Sequence, residues 1–143
     1  MPGWGTLIKT LIKWGPIAFA AARKYYPYVQ NSPAAQRFAT SLMEQSNRIP
    51  ERLSPELRAR KKIAAVRSSL AEAAMLGIDP TIYARWRTEL DELDRILTLS
   101  QAVSRGNRRS LVRQVNERLD RLVAEILPAL TGRGQYSPPE LPR

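Results

Sequence analysis

Cysteine and histidine are both absent from this chain of 143 residues. Without cysteine there is no disulfide framework and no thiolate to serve as nucleophile or metal ligand, a composition compatible with a reducing compartment. Without histidine the commonest general base, the commonest metal ligand and the side chain that titrates near neutral pH are missing. Serines and carboxylates remain, but a hydrolase built from them needs a Ser-Lys or paired-carboxylate site, and neither pairing occurs with supporting context. The sequence therefore reads as non-enzymatic, with no catalytic residue, cofactor or metal site expected.

Long uncharged runs are also lacking. A bilayer span takes about 20 largely apolar residues, whereas the longest uncharged run of the hydrophobic N-terminal stretch is Trp14 to Ala22, bounded by Lys13 and Arg23. A secretory signal ending at Ala20-Ala21-Ala22 fits poorly, because Lys9 and Lys13 alternate with Leu and Ile at helical spacing and Pro16 interrupts the apolar run. No β-type alternation of useful length occurs, and the expected fold is all-α.

What the chain does have is positive charge. Lys and Arg number 23 against 13 Asp and Glu, a net charge of +10, which favours nucleic acid, ribosome or an anionic lipid surface as partner. The richness in Arg and Ala suggests a GC-rich bacterial coding source.

The segment WGTLIKTLIKWGPIAFAAARKYYPYV, residues 4–29, carries basic residues and no acidic one. At about 100° per residue, Trp4, Leu7, Ile8, Leu11, Trp14, Ala18, Phe19, Ala22, Tyr25, Tyr26 and Val29 fall on one arc, and Lys9, Lys13, Arg23 and Lys24 on the other. Such a helix either lies on a membrane or covers a protein core. Pro16 and Pro27 both project to the polar side, so the helix is expected to continue through Pro16 with a bend and to end near Tyr26 to Val29. Tyr25, Tyr26 and Tyr28 beside Arg23 and Lys24 fit an interfacial anchor better than a base-stacking platform, which generally sits on a sheet.

Asn31-Ser32-Pro33 reads as a cap opening a short helix with Ala35, Phe38, Ala39, Leu42 and Met43 on one face, and the proline-containing stretch SNRIPERLSP reads as a hinge. Heptad spacing then sets in. Ala59, Ile63, Val66, Leu70 and Ala73 mark one helix, closed by Gly77. Tyr83, Trp86, Leu90, Leu93 and Leu97 mark a second, and Val112, Val115, Leu119, Leu122, Ile126 and Ala129 a third with a kink at Pro128. The expected organisation is a basic amphipathic helix over 1–30, a short helix and linker over 31–54, an antiparallel three-helix coiled-coil-like bundle over 55–131, and a disordered Pro-rich tail over 132–143.

In an up-down-up bundle the start of the first helix, the end of the second and the start of the third share one pole. That pole gathers Arg58, Arg60, Lys61 and Lys62 with Arg105, Arg108, Arg109 and Arg113, opposed by Glu56. Two helix N-termini point there too, an arrangement suited to anions. Arg113, Glu117, Arg121 and Glu125 read as a surface ladder. Glu89, Asp91, Glu92 and Asp94 point in different directions around their helix, with Arg85, Arg87 and Arg95 at pairing distance, and read as a solvated face rather than a metal site.

These features predict a helical adaptor or scaffold bound peripherally to the inner, cytoplasmic face of a membrane. Trp4, Leu7, Ile8, Leu11 and Trp14 would enter the acyl region, while Lys9, Lys13, Arg23 and Lys24 meet headgroups. The alternatives are sequence-tolerant binding of nucleic acid or ribosome by the basic pole, with the N-terminal helix folded back as core, and a membrane-active effector. The heptad helices also leave room for a protein partner or self-association.

Overall fold

The computed structural model describes residues 12–131, with Gly5 and Lys9 ahead of them. Among the described residues it is all-helical. Five helices follow one another: α1 (Pro16–Val29), α2 (Pro33–Asn47), α3 (Pro55–Ala74), α4 (Pro80–Ser100) and α5 (Arg105–Leu130). Four of them begin on proline, whose fixed φ suits the first helical position and whose missing N–H costs nothing there. Local side chains cap the starts of α2 to α5: Ser32, Ser54, Asp79 and Ser104 accept from the backbone N–H of Ala35, Leu57, Thr81 and Asn107. Gly77, at φ 102°, supplies the left-handed turn that ends the first heptad helix and sends α4 back along α3.

The heptad positions of α3, α4 and α5 are buried, from Ala59 and Ile63 through Leu90 and Leu93 to Leu119 and Ile126, except Tyr83 and Ala129, which are half-buried against the same core. These three helices do not hold the core alone. One hydrophobic cluster runs from Trp14 to Leu130, and α1 lies mainly along α5 while α2 lies mainly along α3. Each of those helices therefore needs a second buried face. Ala65 and Ser69 supply it on α3, and Asp120, Val123, Ala124, Leu127 and Leu130 supply it on α5. The proposed division at residues 30 and 54 is not a division of the core. Phe38, Ala39, Leu42 and Met43 of the expected linker helix are each at most 2% exposed. A polar seam between α2 and α3 fixes their register: Ser41 accepts from Gln45 and Ser69 at 2.9 Å each and donates to Glu72, which also pairs with Arg37 at 3.2 Å.

The expected passage of one helix through Pro16 is corrected. The chain turns at Lys13 and Trp14, crosses Gly15 at φ 141°, and starts α1 afresh on Pro16. Gly15 offers no side chain to cap this start. Its place is taken from α5, a hundred residues away in sequence: the Asp120 carboxylate accepts the N–H of Ile17 at 3.1 Å and of Ala18 at 2.7 Å. A Cβ at Gly15 would collide with that carboxylate, so the close approach and the positive φ both demand glycine. At the other end, the Ser32 hydroxyl donates to the Leu130 carbonyl at 2.6 Å, tying the α1–α2 junction to the end of α5. Thus α1 runs beside the C-terminal half of α5 and in the same direction.

Ion pairs lock the outer faces. The carboxylates of α4 pair across helices and not with the arginines of their own helix: Arg67 of α3 holds Asp91 at 2.6 Å and Asp94 at 3.0 Å, and Arg118 of α5 holds Glu89 at 2.9 Å and Glu92 at 3.2 Å. Hydrogen bonding from Arg118 holds Glu92 below the usual carboxylate range. Glu125, read as one rung of a surface ladder, instead accepts the Trp86 indole N–H at 2.7 Å and pairs with Arg85 at 3.3 Å.

Candidate polyanion-binding pole

The end of α2, the start of α3, the end of α4 and the start of α5 meet at one pole. Gln101 donates to Glu56 at 2.9 Å, and Arg108 donates to the carbonyls of Ser100 at 3.1 Å and Gln101 at 3.3 Å. Arg108 is therefore committed to the open C-terminal carbonyls of α4, where a cation also meets the negative end of the helix dipole. Arg60 reaches Thr98 at 3.5 Å. Lys61, Arg105, Arg109 and Arg113 are exposed and Arg58 is half-buried. None of these five takes part in an ion pair among the described residues, whereas Arg37, Arg67, Arg85 and Arg118 are all paired on the sides of the molecule. The linker adds exposed Arg48 and Arg52 to the same pole. Reading 31–54 as a short helix and linker outside the bundle, with SNRIPERLSP as a hinge, hid these two; the clue lay in the helical face of α2, which has to return its C-terminus to the start of α3.

The residues expected to touch a membrane are divided by the fold. Trp4, Leu7, Ile8 and Leu11 lie outside the described residues, as does the tail 132–143. Trp14 is corrected: it is 4% exposed and its indole N–H donates to Ser46 Oγ at 2.9 Å, so it belongs to the core. Ala18, Ala22 and Val29 of the same arc are buried against the bundle, which is the core-covering use of an amphipathic face. Lys9 and Lys13 are exposed, and Lys13 approaches Glu51 of the pole linker at 3.9 Å. Arg23 and Lys24 are exposed too, but sit about 11 Å along α1 from its start by helical rise, away from the pole. There Lys24 lies 5.5 Å from the Tyr25 ring centroid, and Tyr25 and Tyr28 are 6.3 Å apart.

Beside the pole, the turn ahead of α1, the end of α2 with the linker after it, α3 and α5 enclose a cleft of about 540 Å³ lined by Trp14, Ser46, Pro55, Arg58, Lys62 and Asn116, with Lys13 and Glu51 among its other lining residues. A second recess of about 380 Å³ shares Trp14, Pro55 and Asn116 and adds Arg109 and Arg113. Lys62 bridges elements here: its ammonium donates to the Lys13 carbonyl at 3.3 Å and lies 5.6 Å from the Trp14 ring centroid. Burial first, and then the charge of Arg58 one turn earlier, hold the Lys62 ammonium below its ordinary pKa, with Asp120 opposing them. A lysine so placed holds its proton less tightly in the folded chain than in the unfolded one. Between the lowered folded value and the unfolded value near 10.5 the unfolded chain holds a proton that the folded chain has released, so this group makes stability rise with pH in that window and costs stability below it. Lys62→Met is accordingly expected to leave the melting temperature at neutral pH unchanged or raised, by thermal unfolding followed by circular dichroism. A loss beyond about 1 kcal/mol would show that its hydrogen bond and aromatic contact outweigh the burial of charge.

Among the described residues no cluster of carboxylates is arranged to hold a metal ion, and no helix is long and apolar enough to cross a membrane. Comparison with protein-family models, with curated proteins and with solved structures gave no match.

Proposed function

We propose that this protein is a non-enzymatic helical adaptor that docks peripherally on an anionic membrane surface, with the basic pole and the N-terminal segment leading into Lys13 as its two points of attachment. The observation that carries this reading is the sorting of charge. Carboxylates on the flanks are taken up by arginines of neighbouring helices, while Arg58, Lys61, Arg105, Arg109 and Arg113 crowd one end without an ion-pair partner among the described residues. Cations crowded at one end repel one another in the isolated fold, and an anionic surface relieves that.

Exposed apolar side chains at the same end favour lipid over nucleic acid. Leu57 is 48%, Leu99 59% and Val103 36% exposed, all within one turn of the pole, and Ile12 beside Lys13 is 60% exposed. A phosphate backbone gives such side chains no partner, whereas the headgroup boundary of a bilayer accepts both them and the cations around them. The membrane attachment expected of the whole N-terminal helix thus narrows to residues ahead of Trp14 together with the pole.

Co-sedimentation tests this directly. Full-length protein is expected to pellet with vesicles rich in anionic lipid, to stay in solution with zwitterionic vesicles, and to be released by salt. Tighter binding to duplex RNA than to anionic vesicles at equal salt would overturn the membrane reading in favour of nucleic acid.

A further inference from the structure

We infer that the cleft between Trp14, Arg58, Lys62 and Asn116 binds a phosphate ester bearing a free hydroxyl, which at a membrane is the phosphoglycerol headgroup of an anionic lipid. This deepens the membrane reading above and rests on it for the source of the ligand. Three observations at one place carry it.

The first is size and position. About 540 Å³ falls within the roughly 300–1,000 Å³ of small-molecule sites, and the cleft opens beside the pole that would face the bilayer. The second is charge. Arg58 and Lys62 stand one helical turn apart on α3 and line the cleft together, and Arg109 and Arg113 line the adjoining recess. The carboxylates nearby offset them only in part: Glu51 is 86% exposed and loosely paired with Lys13, Glu117 at the recess is exposed, and Asp120, whose charge favours the Lys62 ammonium, is committed to the amides that start α1. Two cations facing the same space, one of them disfavoured in its charged form first by burial and then by the other, form a receptor for an anion whose oxygens can take a guanidinium fork and an ammonium together.

The third observation selects among anions. Asn116 lines both spaces, and its side-chain Oδ1 is buried with no hydrogen-bond partner. A buried amide oxygen requires a donor. An ammonium, as in a phosphoethanolamine headgroup or beside the carboxylate of a phosphoserine headgroup, would be a further cation at Asn116 close to Arg58 and Lys62 and would be repelled by them. A hydroxyl donates without adding charge. Phosphate oxygens toward Arg58 and Lys62 with a hydroxyl toward Asn116 describe a phosphoglycerol-type ligand.

The experiment compares full-length protein on vesicles of matched surface charge containing either phosphatidylglycerol or phosphatidylserine, alongside calorimetric titration with sn-glycerol 3-phosphate and with inorganic phosphate. Phosphatidylglycerol is expected to bind about tenfold more tightly, the scale of one hydrogen bond to an otherwise unsatisfied buried oxygen. Asn116→Leu should erase that preference while leaving phosphatidylserine binding and the melting temperature unchanged, and Arg58→Gln should weaken the preferred lipid more than the other. Equal binding of the two vesicle types, with no heat from glycerol 3-phosphate, overturns the headgroup site and leaves surface docking standing. No binding to either vesicle overturns the membrane reading. In that case saturable heat from glycerol 3-phosphate, lost in Asn116→Leu, keeps the site for a soluble phosphate ester, and its absence removes the site. Inorganic phosphate binding as tightly as glycerol 3-phosphate, unaffected by Asn116→Leu, rejects the role given to the hydroxyl.

Discussion

Replacing Arg52, Lys61, Arg105 and Arg109 together by Gln is expected to lower affinity for anionic vesicles by roughly a thousandfold, because each basic residue near the surface contributes about 1 kcal/mol. All four are exposed and none is in an ion pair among the described residues, so the melting temperature should stay within about 1 °C of the parent's. This separation of binding from stability is what distinguishes a docking surface from charges that merely keep the protein soluble. The dependence of binding on salt should flatten in the same variant, since fewer counterions are exchanged. Unchanged vesicle binding would remove the pole from the docking surface, even if the N-terminal segment still attached. The variant leaves Arg58, Lys62 and Arg113 in place, and any residual preference between headgroups should therefore survive it.

Asp120→Ala is expected to destabilise the protein by about 3 kcal/mol, lowering the melting temperature by about 10 °C in a chain of this size. The substitution strips the Ile17 and Ala18 amides of their acceptor in a site where Asp120 is 5% exposed, and each unsatisfied buried group costs about 1–3 kcal/mol. It also removes the negative charge that faces Lys62 and the positive end of the α1 dipole. Gly15→Ala attacks the same contact from the opposite side, through collision with the carboxylate and through a φ of 141° that a Cβ tolerates poorly. The two changes share one contact, so the double variant should cost clearly less than the sum of the singles, once the carboxylate that the new methyl strikes is gone. Full additivity, or an Asp120→Ala protein that melts like the parent, would mean that α1 is not held on α5 by this carboxylate. A released α1 should also show as new protease sensitivity between residues 13 and 32, and a partly loosened one as early amide exchange there.

Much of the helical layout is local and could be read along the chain. Prolines at 33, 55 and 80 behind Ser32, Ser54 and Asp79, the left-handed Gly77 and the heptad spacing of Leu90, Leu93 and Leu97 are signals each helix carries in its own residues. The convergence of Arg58 with Arg105 and Arg109 also followed from helix order, because a short turn between heptad helices forces an antiparallel neighbour. What spacing could not supply was the identity of the surface covering each apolar face. The arc through Trp14, Ala18 and Ala22 suits a bilayer and a protein groove equally well, since both remove the same area from water. The matching face on α5, at Val123, Ala124 and Leu127, carries no sign of which helix will use it.

Only the folded structure resolved that choice, through polar geometry and not through hydrophobicity. Burial of apolar area is non-directional, but two amides at the start of α1 and one carboxylate on α5 satisfy each other in a single arrangement, and Gly15 is the residue that lets them approach. The same holds for the cleft, where Lys62, Trp14 and Asn116 come from three helices or their junctions and acquire their relation only once α1 is seated. Composition and period determined that the chain is helical, basic and polarised in charge. Tertiary structure determined which face is core, because the pairing of buried polar groups is directional and a period is not.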